Sequence, residues 1–347
     1  MVKSIESPLV VGDLVNEGEL AWFWWVEEHS RLAIVGDNQK TVKRRMTKSI
    51  SQSVVSRDPN AVYWITGEED QSSVQGIHPL ESIMWVEEFP DPPEDFEDRH
   101  VFINQRLFFA TSFLNLLARK KGMDRRELLP GASYRGHMEG PIIGFGRALE
   151  RMEESPHKTW LAEQFDSLTQ IDWYKTQEGF KYHLNRSGDL EERALSFLKA
   201  AWSFWTFIAQ QDVPQQFLLI VEPPKELLLP DVDPGIRDIM KEAISILNYL
   251  TEVTTTTLIL SSEAFFPIPE LNFRHKLFFE TANSDLDFWD PVNRESIDIP
   301  DLYRSWERGE NEVGMWEDAA TGERYLARFR EAEIAFDDEL LEQMKAE

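Results

Sequence analysis

The sequence contains no cysteine, which excludes disulfide bonds, thiolate catalysis and cysteine-ligated zinc or iron–sulfur sites. It also lacks any apolar run of the roughly 18 residues that a transmembrane helix requires. The first apolar patch is interrupted by acidic residues, which does not fit a signal peptide. We therefore expect a soluble, cytoplasmic protein without membrane insertion.

Positive charge is scarce: 36 lysines and arginines face 62 aspartates and glutamates, for a net charge of −26. This excess of negative charge repels phosphate backbones, so we do not expect a broad nucleic-acid-binding face. The basic run KTVKRRMTK, residues 40–48, is the one exception. It is either a solvated helix face or a local contact patch.

Common catalytic signatures are missing as well. The seven histidines show no pair at metal-ligand spacing, and no serine lies in a nucleophile-elbow motif. A glycine-rich stretch at 140–146 has no strand before it, which favours a turn over a phosphate loop.

Short, almost continuously apolar runs alternate with helical patterns, and this alternation predicts an α/β fold with a mostly parallel sheet. The predicted strands are Arg31–Gly36, Ala61–Thr66, Gln215–Glu222, Thr254–Ser262 and Arg274–Thr281. Near the C-terminus, a strand–turn–strand pattern at Val313–Arg330 predicts a β-hairpin, followed by an acidic helix from Asp337.

A long segment separates the second and third predicted strands. It begins with an acidic, proline-rich linker and continues with mainly helical patterns. We predict three parts: residues 1–89 as the first part of a core, 90–212 as a mainly helical insertion, and 213–347 as the second part of the core.

The stretch RLAIVGDNQKT has the layout of a phosphate-binding loop, in which a buried strand ends at a glycine and a Lys-Thr pair opens a helix. In such loops, backbone amides cradle the phosphates, the lysine reaches the outer phosphates and the hydroxyl holds Mg²⁺. The candidate nucleotide-binding residues are Gly36, Asp37, Asn38, Gln39, Lys40 and Thr41, and Thr41 is also a candidate metal ligand. The loop is two residues shorter than the standard form, and Gln39 stands where a glycine normally precedes the lysine.

Taken in order, the motifs resemble those of the FtsK and HerA-like family of DNA-pumping ATPases, which includes conjugative coupling proteins and genome-packaging ATPases. His29 precedes the first strand, FLLIVE ends at Glu222, and LILSSE puts Glu263 where the family has a glutamine that senses the γ-phosphate. The C-terminal hairpin also matches the family layout. The resemblance implies a RecA-like P-loop NTPase core with a mostly parallel sheet, a helical insertion and a C-terminal β-hairpin.

The same resemblance indicates damaged chemistry. Pro223 stands where the family has its catalytic glutamate, and Glu226 is the nearest carboxylate that follows. Glu222 could still hold Mg²⁺ together with Thr41, whereas Glu263 would oppose the charge of a γ-phosphate. The candidate catalytic residues are Glu222, Glu226 and Glu263, and the candidate metal ligands are Thr41 and Glu222.

Together these changes favour a degenerate pseudo-ATPase that acts as a structural or adaptor subunit of a DNA-translocation, packaging or secretion-type assembly. We expect ATP and Mg²⁺ binding to be weak or lost. We also expect protein partners in a homo- or hetero-oligomeric ring, with DNA reached only through the assembly. Two alternatives remain: an active DNA-translocating ATPase with an unorthodox site, and a nucleotide-free α/β protein-interaction module.

Overall fold

A computed structural model describes residues 9–14, 18–22, 30–36, 42–67, 75–81, 112–130, 146, 148–166, 170–184, 188–209, 216–227, 232–263, 273–279 and 299–334. The predicted acidic C-terminal helix and the whole of the proline-rich linker lie outside these residues. Among the helices of the described ranges, none has both the length and the apolar character that crossing a membrane requires.

Strands of the described residues form one twelve-stranded sheet. They are β1 (Leu9–Leu14), β2 (Glu19–Trp22), β3 (Arg31–Val35), β4 (Val62–Thr66), β5 (Gly76–Glu81), β6 (Gln170–Thr176), β7 (Gly179–His183), β8 (Phe217–Glu222), β9 (Thr256–Ser262), β10 (His275–Phe278), β11 (Val313–Asp318) and β12 (Glu323–Ile334). The helices are α1 (Val42–Val55), α2 (residues 112–121), α3 (Arg125–Leu128), α4 (Pro156–Asp166), α5 (Leu190–Ala209), α6 (Pro234–Val253) and α7 (Ile299–Glu307).

Six neighbouring strands run parallel, in the order β10-β3-β9-β8-β4-β7. All five strands predicted from the apolar runs belong to this parallel core, which confirms the α/β fold class with a mostly parallel sheet. The near-continuous apolar character arises because helices cover both faces, so that every residue of β4 and of β9 is buried.

Alternate residues of the parallel strands enter two cores on opposite faces of the sheet, as the two-residue period of a strand requires. On one side, called the α1 face below, the strands pack on α1 through Leu32, Ile34, Met46, Ile50, Val54, Val62, Trp64, Leu218, Ile220 and Ile259. On the other side, called the α5–α6 face, they pack under α5 and α6 through Ala33, Tyr63, Ile65, Leu219, Val221, Leu258, Leu260, Trp202, Phe204, Ala243 and Leu247.

Antiparallel strands extend the sheet beyond β10. The predicted hairpin is present as β11 and β12, and its turn contains Gly322 with a φ of 72°. The Asp318 carboxylate accepts a hydrogen bond from the Ala320 amide at 2.9 Å, which stabilises the turn. Strands β1 and β2, which the sequence analysis did not predict, then pair outside β12.

The central segment contains more than helices. β6 and β7 form a hairpin within the predicted helical insertion, and β7 pairs in parallel with β4. The expectation of a mainly helical segment therefore missed two strands that belong to the main sheet. Their inward side chains are large, since Trp173 and Phe180 contact the ring of Tyr63. The division at residues 89 and 212 stays a prediction.

Candidate nucleotide site

Parallel strands bring their carboxyl ends to one edge of the sheet, where ligands of open α/β proteins bind. Gly36 directly follows β3, Glu263 directly follows β9, and Glu222 ends β8. Because the strand order is β3-β9-β8-β4, the sheet brings these three candidate residues to the same edge, with β9 between Gly36 and Glu222. Residues Asp37–Thr41, the rest of the predicted loop, lie outside the described residues.

Gly36 is fixed between neighbouring strands. Its amide donates to the Ser262 carbonyl at 3.1 Å, and the Phe279 amide donates to the Val35 carbonyl at 2.8 Å. A Cβ atom on residue 36 would lie 2.9 Å from the Cβ of Phe279, closer than side chains approach one another. Close packing therefore accounts for this glycine whether or not a phosphate binds beside it.

Three polar side chains point to the α1 face at this edge. In β4, β8 and β9 the side chains of Trp64, Ile220 and Ile259 pack on the α1 face. Side chains two positions apart in a strand lie on the same face, so Thr66, Glu222 and Ser261 follow on that face. Thr66 pairs with Glu222 in register, and the last β8–β9 pair, Val221 with Leu260, directly precedes Glu222 and Ser261. The three side chains thus form a row across neighbouring strands.

Within this row, Glu222 is held by a neighbour. The Thr66 hydroxyl donates a hydrogen bond to Glu222 Oε2 at 2.7 Å. Thr66 is buried and Glu222 is half-buried, so a donor that is shielded from water stabilises the carboxylate. Thr66 is not among the residues predicted from the sequence, because nothing in the order of motifs says that β4 lies next to β8.

Ser261 differs from Thr66. Its side chain is 1% exposed, and its hydroxyl has no hydrogen-bond partner among the described residues. A buried hydroxyl without a partner is costly, and each case in a folded protein asks for an explanation. This one faces α1 at the edge where the candidate loop begins.

A buried lysine stands at the start of α1. Lys43 is 4% exposed, and its Cβ lies 3.5 Å from the position that a Cβ on residue 36 would take. Motif spacing selected Lys40 and passed over Lys43. The signal that could have found it is its place three residues before Met46 and seven before Ile50, on the stripe of α1 that packs on the sheet.

Glu226 is not brought to the same face as Glu222. After β8, Pro223 is buried, and a 3₁₀ turn at Lys225–Leu227 follows. Leu227 enters the core of the α5–α6 face, where the turn packs against α5 and α6. The turn that carries Glu226 therefore lies on the face opposite Thr66, Glu222 and Ser261.

Two half-buried ionisable groups lie on the helices of the α5–α6 side. Burial lowers the pKa of Lys199, on α5, to about 8 and raises the pKa of Glu242, on α6, to about 7. Perturbed pKa values mark functional sites when burial is combined with a specific charged partner. For these two groups burial is the sole cause, so neither marks a second active site.

The described residues supply only part of a magnesium site. At nucleotide sites Mg²⁺ keeps several water ligands and is bound by one or two carboxylates together with the phosphates of the substrate. At this edge the described strand ends offer two carboxylates: Glu222, which accepts the Thr66 hydroxyl, and Glu263, which directly follows β9. Across the described ranges, no cluster of three or more metal-ligating side chains occurs.

No protein-family model matches the chain, and no curated protein matches it. Among solved structures, the chain is similar to VirB4 of Thermoanaerobacter pseudethanolicus, with a TM-score of 0.49 and 14% identity, over 96% of this chain and 98% of that chain. It is also similar to the pCW3 conjugation coupling protein TcpA in its monomer form with ATPγS, with a TM-score of 0.38 and 10% identity, over 99% of this chain and 72% of that chain. Likeness at this level carries no functional argument, so only the residues of this chain bear on its function.

Proposed function

We propose that this protein is a pseudo-ATPase: it has the strand order and edge of a nucleotide-binding α/β protein but does not hydrolyse ATP. The observation that carries the proposal is the turn after β8. ATP hydrolysis needs a residue that orients the attacking water, and the family resemblance puts a glutamate in this role directly after the metal-binding strand end. Here that strand end is followed by Pro223, and Glu226 sits in a turn on the opposite face of the sheet.

Two further features support the loss of hydrolysis. Glu222 is engaged by Thr66, so one of its carboxylate oxygens already accepts a protein donor. The presence of a glycine at position 36 is explained by the close approach of the Phe279 side chain. Both residues therefore have a structural role that does not depend on ATP hydrolysis.

We further propose that the protein serves as a structural or adaptor subunit in a DNA-translocation, packaging or secretion-type assembly. Its net charge of −26 suits contact with proteins better than direct contact with DNA. Its partners would be copies of itself or an active ATPase in a ring, and DNA would be reached through the assembly.

An active ATPase with an unorthodox site is the second candidate. The row of Thr66, Glu222 and Ser261 favours it, because a buried hydroxyl without a described partner suits a site that receives a ligand. In this case Lys40 and Thr41 would bind phosphate and metal, and Glu222 would act at the reacting centre.

Steady-state hydrolysis of Mg-ATP and the shift of the melting temperature separate these candidates. The pseudo-ATPase shows the same background hydrolysis as Lys40→Ala, with a small thermal shift, since stabilisation grows only as ligand exceeds its dissociation constant. Hydrolysis that Lys40→Ala abolishes would establish the second candidate instead. A complete absence of thermal shift at millimolar nucleotide would favour a nucleotide-free interaction module.

A further inference from the structure

We draw no further inference here: the strongest candidate, the Ser261 hydroxyl that is buried without a described partner at the carboxyl end of β9, belongs to the candidate nucleotide site already described.

Discussion

Two buried polar clusters lie beside α1, and they differ in how their groups are satisfied. The first, called the turn cluster, joins the β6–β7 turn to α1 and β4. The Glu178 carboxylate contacts Lys181, and it contacts Lys48 at 2.8 Å. The Glu178 carbonyl accepts hydrogen bonds from the Ser51 hydroxyl at 2.6 Å and from Trp64 Nε1 at 2.9 Å.

The second, called the edge cluster, consists of Thr66, Glu222 and Ser261 at the carboxyl ends of the strands. In it, Thr66 holds one oxygen of Glu222, while the Ser261 hydroxyl has no partner among the described residues. The turn cluster is complete within the protein and fastens one element to another. The edge cluster is built from similar groups but leaves one buried hydroxyl without a described partner, which in a folded protein asks for an explanation such as a bound water or ion.

The largest expected effect is on the turn cluster. Glu178→Ala would leave Lys181, whose side chain is 6% exposed, without its carboxylate. Breaking such a buried pair should lower the free energy of unfolding by about 3–5 kcal/mol, measured by urea denaturation. The control Glu312→Ala removes the exposed carboxylate that pairs with Arg45, which lies on α1 as Lys48 does. This control should cost less than about 1 kcal/mol.

The pH dependence of stability gives a second measurement on the same residue. Burial would raise the pKa of Glu178, but hydrogen bonds from Lys181 and Lys48 outweigh it and hold the pKa below its ordinary value. This contribution is present above the unfolded pKa and is lost as the pH falls through the lower, folded pKa. Glu178→Gln should therefore flatten the acid side of the stability profile, and an unchanged profile would contradict the ion-pair account.

The next effect concerns how closely the turn approaches β4. Gly179 has a φ of 107°, and a Cβ on it would lie 2.5 Å from the Val62 carbonyl oxygen. Gly179→Ala should lower the free energy of unfolding by about 2–3 kcal/mol, because backbone strain is added to a clash. Gly122 also has a positive φ, 64°, but faces open space, so Gly122→Ala should cost about 1–2 kcal/mol from strain alone. Equal losses would show that the turn is not docked against Val62.

A smaller effect is expected within the edge cluster. Thr66→Val removes the donor to Glu222 while conserving the shape of the side chain. Hydrogen bonds to charged groups contribute about 1.5–3 kcal/mol, and we expect a loss near the lower end because Glu222 is only half-buried. Thr66→Ser keeps the hydroxyl and should retain most of the stability; equal losses in both variants would contradict the assigned hydrogen bond.

The smallest effect sharpens the comparison most. Ser51→Ala, in the turn cluster, removes a satisfied donor and should cost about 1 kcal/mol. Ser261→Ala, in the edge cluster, removes a hydroxyl that has no described partner and should leave the melting temperature unchanged or slightly raised. A loss for Ser261→Ala as large as that for Ser51→Ala would mean that both clusters are equally complete.

The sequence predicted the parallel core well, for a physical reason. Strands covered on both faces must be apolar at nearly every position, as in Phe217–Glu222, and that signal survives without knowledge of neighbours. β6 gives a weaker signal, since buried Ile171 and Trp173 alternate with exposed Asp172 over a short stretch. β6 therefore lies within the segment that the sequence predicts to be mainly helical.

The site was predicted less completely, because its pairings depend on strand order. Thr66 and Glu222 are 156 positions apart, and they meet only because β4 and β8 are neighbours in the sheet. Motif spacing directed attention to Lys40, whereas the burial of Lys43 follows from the packing of α1. Glu226 was selected by its closeness in sequence to Glu222, yet its turn belongs to the other face.

The most direct test of the central claim is a single-turnover measurement of ATP hydrolysis, with the protein in excess over ATP and with Mg²⁺ present. The protein and its Glu222→Gln variant should release phosphate at the same background rate, because Pro223 follows the strand end that would hold the metal and Glu226 lies in a turn on the opposite face. Phosphate release by the wild-type protein that disappears in Glu222→Gln would show a working site and would contradict the account.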